Sequence, residues 1–317
     1  MNALVSLLKN WTLPIAIFVG CGSYLSYHFL PCLQPVGDVV GAVVDVAFPL
    51  FIFLTLFFTF CKVDYRLLRP HRWHLWVMLT QMTAVALVLW LALEAGDSES
   101  KTLWEGVLTC VIAPCAAAAP VVAGKLGGNL NTITTYVLMS NVLSTPLIPA
   151  VFALLEPSAG VSFLAAFWTI LQKVTLVLLL PLLLGYLVQQ HLEPLRRWIV
   201  ARKDLSFYSW TVALSMTTGF TVRNMLAAGA SSTLLLPIAL LSLLVCWMQF
   251  GIGRAIGHRF GEKANTGQAM FQKNTGLAIW VAYLYLNPVA SAGAGCYVLW
   301  QNIINSLELW QSRVKNA

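Results

Sequence analysis

Residues 111–124 read Val111-Ile112-Ala113-Pro114-Cys115-Ala116-Ala117-Ala118-Ala119-Pro120-Val121-Val122-Ala123-Gly124. This stretch is apolar enough for lipid but cannot remain a regular helix. Two prolines six residues apart each remove a backbone donor and crowd the preceding turn. The four alanines between them leave little side-chain volume, so other backbone can approach closely. An unwound or sharply kinked segment is predicted here. A second stretch reads Gln268-Ala269-Met270-Phe271-Gln272-Lys273-Asn274-Thr275-Gly276-Leu277. At bilayer depth one charged side chain costs roughly 2.5–3.5 kcal/mol on insertion scales. A polar run of this kind persists only where it faces protein or a wet cavity.

Both stretches lie among long apolar segments. The chain has 317 residues, of which 59% are hydrophobic and 10% charged, against roughly 25% charged in soluble domains. Ten segments read as membrane spans: 11–33, 39–61, 72–94, 103–124, 131–154, 162–190, 206–226, 229–257, 264–286 and 289–311. Each is near the roughly 20 residues that cross a hydrocarbon core. Lipid offers no partners to backbone N–H and C=O groups, so these spans are predicted to be helical. The alternating segments of a β-barrel are absent from the sequence. The first span is too long for a signal-peptide core and no A-x-A-like site follows it, so it is expected to be retained.

Basic residues set the orientation. With the N-terminus in the cytoplasm, the inner segments hold Lys9; Lys62, Arg66, Arg69 and Arg72; Lys125; Arg196, Arg197, Arg202 and Lys203; Arg254, Arg259 and Lys263; Arg313 and Lys315. The outer segments hold Lys101 and Arg223, while Lys173 and Lys273 fall inside spans. Both termini are therefore expected in the cytoplasm, and the bilayer is expected to be a bacterial inner membrane. The net charge of +7 reports topology, and its scattered basic residues do not form a nucleic-acid surface.

Ten helices divide into halves at 1–157 and 158–317. Five helices per half place the second half in opposite orientation, the geometry of an inverted repeat. Tyr136-Val137-Leu138-Met139-Ser140-Asn141 and Tyr297-Val298-Leu299-Trp300-Gln301-Asn302 share four of six residues at an offset of 161. The fold class is thus all-α integral membrane, with a 5+5 inverted repeat and two broken helices. Interrupted helices at corresponding places in two halves point to a binding site near the midplane. Half-helix N-termini favour anions and freed carbonyls favour cations. The candidates are Pro114, Cys115, Pro120, Gln272, Lys273, Asn274 and Thr275 from the breaks, with Ser140, Asn141 and Asn302 from the fifth and tenth spans.

The Pro-rich fourth span running into Lys125-Leu126-Gly127-Gly128-Asn129 resembles the bile acid:sodium symporter family, within a wider group that includes arsenite permeases. So do Ser140-Asn141-Val142-Leu143-Ser144-Thr145-Pro146, Leu180-Pro181-Leu182-Leu183-Leu184-Gly185 and Gln272-Lys273-Asn274-Thr275-Gly276-Leu277-Ala278. The similarity runs from the second span to the C-terminus. It implies that the fourth and ninth helices cross in a core domain of helices 3–5 and 8–10. A panel domain of helices 1, 2, 6 and 7 would pack against that core. It also implies alternating-access transport of an organic anion, bile acid-like or a carboxylate, often with sodium. Gln81 matches a glutamine that the family uses as a ligand.

The family's sodium sites do not carry over. Where the family has a glutamate shortly before its Gln-Asn pair, this chain has Gln268-Ala269-Met270; the family's asparagine and serine in the fourth break fall near Pro120 and Ala119. Most of the oxygen ligands that a hard cation needs are gone, and Lys273 stands in their place. Lys273 is expected to replace the coupling sodium ion and to favour an anionic substrate. Desolvation acts on its protonation, which leaves proton coupling open beside sodium.

Ala113-Pro114-Cys115 also resembles the segment where arsenite permeases place a functional cysteine, and a soft thiolate suits a metalloid. That makes metalloid efflux the alternative. Asp45, Lys173 and Arg223 are secondary candidates, and Glu308 is expected to be solvated. Trp11, Trp73, Trp76, Trp104 and Trp310 are expected at the membrane interfaces. The seven cysteines include no C-x-x-C pair, and the five histidines lack metal spacing. No phosphate-binding loop or Ser/His/Asp arrangement is present, so neither an ATP-driven pump nor an enzyme is expected. A non-transporting receptor is the weakest reading, because the chain has no room for an appended soluble domain. The oligomeric state stays open.

Overall fold

The computed structural model describes residues 12–155, 161–202, 204–227 and 232–316. It is 88% helix, with no strands among the described residues. In chain order the α-helices are α1 (Thr12–Phe29), α2 (Gly37–Phe60), α3 (Arg72–Leu93), α4 (Ser98–Ile112), α5 (Ala119–Lys125), α6 (Leu130–Leu155) and α7 (Phe163–His191). They continue with α8 (Glu193–Ala201), α9 (Leu205–Ala227), α10 (Ser232–Phe260), α11 (Lys263–Phe271), α12 (Thr275–Tyr285) and α13 (Ser291–Asn316).

Among the described residues, five helical stretches are long and apolar enough to cross a membrane: Val39–Phe60, Arg72–Leu93, Leu130–Leu155, Phe163–His191 and Thr233–Phe260. Ile15–Phe29 and Thr275–Tyr285 are shorter apolar helices. Many of their large apolar side chains face outward, such as Phe18, Val46, Leu164, Leu236 and Trp247. Outward apolar side chains are favourable in lipid and costly in water, so the chain is a multi-pass membrane protein.

The predicted fourth and ninth spans are each divided in two. α4 and α5 flank one interruption, and α11 and α12 flank the other. α4 begins at Ser98, five residues ahead of the predicted span start at 103. The Asp97 carboxylate caps it, accepting from the Ser100 N–H at 2.8 Å and the Ser100 hydroxyl at 2.7 Å. Hydropathy misses this turn because it is charged. α8 matches no predicted span, since it is short and polar. Lys9, Trp11, Lys203 and the 157/158 division between halves lie outside the described residues.

Two groups of helices pack side by side. α9 lies along both α1 and α2, and α2 lies along α7. α3, α4, α10, α11 and α13 pack on one another, with α5 and α12 inserted among them and α6 bridging α5 and α7. Lipid supplies no hydrophobic drive between helices, so close van der Waals contact must hold them. At the α4–α13 crossing, a Cβ added to Gly293 would collide with the Gly106 carbonyl oxygen. Only glycine lets those backbones touch.

Candidate functional site

The two breaks meet. α4 stops at Ala113, whose φ −60° and ψ 143° are extended, because the ring of Pro114 disfavours helical geometry in the residue before it. Pro120 opens α5 in the first turn, where its missing N–H has no helical partner to lose. The second break contains no proline. Gln272 and Asn274 leave the helical region there, at ψ 95° and 74°.

Broken helices strand backbone groups that must find partners when buried. Here each break satisfies the other. The Ala116 N–H donates to the Gln272 carbonyl at 2.8 Å, and the Asn274 N–H donates to the Pro114 carbonyl at 2.9 Å. These two bonds make Cys115 and Lys273 opposite members of an antiparallel bridge. The outward N–H of each member goes to a side chain. Ser140 Oγ accepts from Cys115 at 2.7 Å, and Gln301 Oε1 accepts from Lys273 at 2.7 Å. The last carbonyls of the preceding half-helices are also met. Gln81 Nε2 donates to Ala113 at 3.1 Å, and the Tyr297 hydroxyl donates to Phe271 at 2.6 Å. Tyr136 donates to Gln81 Oε1, while Gln249 Nε2 bonds the Tyr297 oxygen. Ser140 and Gln301 are paired positions of the 161-residue offset and do equivalent work, each accepting from a bridge N–H; Tyr136 and Tyr297 are also so paired, but Tyr297 bonds the half-helix carbonyl directly while Tyr136 acts through Gln81.

The structure thus brings together Gln81, Pro114, Cys115, Ser140, Gln272, Lys273 and Asn274. Asn274 additionally caps α12, its Oδ1 accepting from the Leu277 N–H at 3.3 Å, and Thr275 is the first residue of that helix. Asn141 and Asn302 bond carbonyls of their own helices, Val137 at 2.7 Å and Val298 at 2.8 Å. Gln301 and Tyr297 were not singled out as site residues. The signal was available, since the offset that selects Ser140 also selects Gln301.

Lys273 is the distinctive group. It is 1% exposed, and its Nζ has no hydrogen-bond partner among the described residues. Cys115, fully buried across the bridge, is within electrostatic reach. Gln272 Oε1, Asn141 Oδ1 and Ser144 Oγ are also buried without partners. A buried ammonium left unsatisfied is costly, so this arrangement calls for a counter-charge or an acceptor.

The secondary candidates lie elsewhere. Lys173 Nζ sits 5.4 Å from the centroid of the Tyr285 ring. Tyr285 lines a cavity of about 780 Å³ together with Lys101, Thr102, Glu105, Phe152 and Asn287. Glu105 is 8 residues ahead of Ala113 on the α4 side of the break, about two helical turns away. Arg223 bonds the Tyr283 hydroxyl, joining α9 to α12. Asp45 is exposed on α2. Glu308 is not simply solvated. Its side chain is 12% exposed, pairs with Arg254 at 2.5 Å and accepts from Gln268 Nε2 at 2.9 Å. Trp73, at the start of α3, is buried against His74 and Tyr136 and does not face outward, because α3 turns that face toward α6. The seven cysteines are free, and no cluster of metal-ligating residues occurs among the described residues.

Comparison with curated proteins returns no match. A sequence model described as the sodium bile acid symporter family matches residues 49–248, from within α2 to within α10. The match includes the first break and Ser140, and it ends before the second break. It covers more than half of the chain, its members are membrane transporters, and the chain belongs to the sodium bile acid symporter family.

Proposed function

We propose that this protein is a secondary transporter of a small organic anion, with Lys273 as the fixed positive charge of its substrate site. The observation that carries this reading is the buried, unpartnered Lys273 ammonium at the junction of two helix breaks. The N-terminus of the eleven-residue α12 begins two residues later and adds a partial positive charge. A carboxylate or similar anion satisfies both. The equivalent hydrogen bonds of the two breaks support a 5+5 inverted repeat of ten membrane helices. The packing of α1, α2, α7 and α9 supports a panel that moves against the remaining helices in alternating access. The 780 Å³ cavity between α4, α6, α7 and α12 is lined by no residue of either break, so it is not counted as part of the substrate site. The basic-residue asymmetry supports cytoplasmic termini in a bacterial inner membrane.

Sodium does not suit this crossover. The bridge offers neutral oxygens, but its residues include no carboxylate and they carry an ammonium. A second cation beside Lys273 would meet like-charge repulsion in a weakly screening interior. Lys273 therefore takes the electrostatic place of the coupling ion, and any ion coupling falls to protons.

The test is uptake of a panel of labelled organic anions into proteoliposomes, with sodium and proton gradients varied separately. Flux that persists without sodium and is lost in Lys273→Met is expected. Strong sodium dependence overturns the replacement of sodium by Lys273, and absence of flux for every anion overturns the anion reading. Metalloid efflux is the second reading, carried by the buried Cys115 opposite Lys273. Arsenite resistance of cells expressing Cys115→Ala decides it, since unchanged resistance leaves the thiol as packing.

A further inference from the structure

The α2–α3 loop and α8 form a basic, partly apolar ledge that the transport site does not use. α8 follows α7 almost without a linker and docks through one residue. Ile199, 1% exposed, packs with Cys61 at the end of α2 and Val188 of α7, against Phe57 and Phe58. The flank of this docked face is uncovered, with Leu195, one turn before Ile199, at 40% and Trp198 at 47% exposure. Arg202 lies over the Trp198 ring, its guanidinium carbon 4.0 Å from the centroid, and donates to the Trp198 carbonyl at 3.2 Å. The cation is thereby held at the edge of the apolar face.

The loop beside it adds charge. Tyr65 anchors the loop to α7, with its ring 5.4 Å from Tyr186 and its hydroxyl bonding the Leu182 carbonyl. Lys62 Nζ bonds Ser206 Oγ at the start of α9. Next to Tyr65, the Arg66 and Arg69 side chains are exposed and make no ion pair among the described residues. On α8, Glu193 is shared between Arg196 and Arg197, so one acid faces three arginines counting Arg202.

A short helix with exposed Trp and Leu beside arginines, directly following the apolar helix α7 that is long enough to cross a membrane, has the chemistry of an interfacial element. Apolar side chains suit the boundary of the acyl chains, and guanidinium groups bind phosphate bidentately. We propose that this ledge is a binding surface for anionic phospholipid, with Trp198 and Leu195 inserted at headgroup depth and Arg66, Arg69, Arg197 and Arg202 engaging lipid phosphates. Zwitterionic lipid lacks the net charge to satisfy this cluster. The occupant is a lipid and not free phosphate, because the arginines border an exposed apolar face.

The test uses the purified full chain in a mild non-ionic detergent. Its thermal unfolding midpoint is followed during titration with phosphatidylglycerol, with phosphatidylcholine and with inorganic phosphate. A saturable rise with phosphatidylglycerol alone is expected, weakened by high salt. An arginine near a charged membrane surface contributes about fivefold in affinity, so Arg66→Gln/Arg69→Gln and Arg197→Gln/Arg202→Gln each shift the titration about 25-fold. Equal effects of the two lipids overturn the proposal. So does inorganic phosphate reproducing the rise, or both double variants titrating like the native chain. If a variant unfolds in detergent alone, the salt dependence of the native chain decides, and a salt-insensitive rise overturns it.

Discussion

Replacing Gln301 by leucine removes the acceptor for the Lys273 N–H while keeping a side chain of similar volume. The lost bond is 2.7 Å long, and its partners are 4% and 1% exposed. Water cannot substitute at such burial, and stranding one buried donor costs about 1–3 kcal/mol. At roughly 2–4 °C per kcal/mol for larger domains, the unfolding midpoint falls by about 2–12 °C. Ser140→Ala strands the Cys115 N–H across the bridge and is expected to cost a similar amount. The two residues clamp one bridge, so the double variant should cost less than the sum of the singles. Asn302→Leu is the control. Its amide bonds only Val298 in its own helix, so it should cost less than either. Thermal unfolding of the purified protein in lipid nanodiscs measures all four. If Gln301→Leu loses no more than Asn302→Leu, or the double variant is strictly additive, the two breaks are not held together as described.

Three further outcomes follow from other contacts. Tyr283→Phe removes only the phenol that bonds Arg223, whereas Arg223→Gln also removes the stacking on Phe220 and Tyr283, with ring centroids at 5.4 and 5.0 Å; the arginine variant should lower the midpoint further in the same assay. Gly293→Val drives a side chain into the Gly106 carbonyl and should sharply reduce the yield of folded protein on size-exclusion chromatography, while at Gly22 the space around a new Cβ is open and the same change should be tolerated. Hydrogen bonds from Ser100 hold the Asp97 carboxyl below the ordinary carboxylate range; its stabilisation is present in full above the unfolded value and is lost as pH falls through the folded one. Asp97→Asn should therefore flatten the acid limb of the stability–pH curve measured by thermal unfolding.

The apolar spans are legible without a structure because lipid leaves the backbone no alternative to helix. Pro114 makes the first break equally legible, since it perturbs its own neighbours whatever surrounds it. The second break shows only as an unusually polar run. Local sequence says that Lys273 must be shielded from lipid, but not by what. The answer came from Pro114 and Gln301, residues far away in the chain. Glu308 looks solvated in sequence for the same reason, because its partner Arg254 lies 54 residues earlier. Trp73 looks like an interfacial tryptophan in sequence, and the packing of α3 on α6 buries it. α8 escapes hydropathy because it is nine residues long and carries charged side chains.

The sequence by itself determines a helical membrane protein with two weak points in its helices, because solvent and proline geometry act locally. Only the tertiary structure decided that those weak points pair through exchanged backbone hydrogen bonds, and that Ser140 and Gln301 complete them. It also left the buried Lys273 ammonium at the crossing without a hydrogen-bond partner among the described residues. Stranded backbone groups are satisfied by whatever the fold brings near, and that partner is a property of the packing.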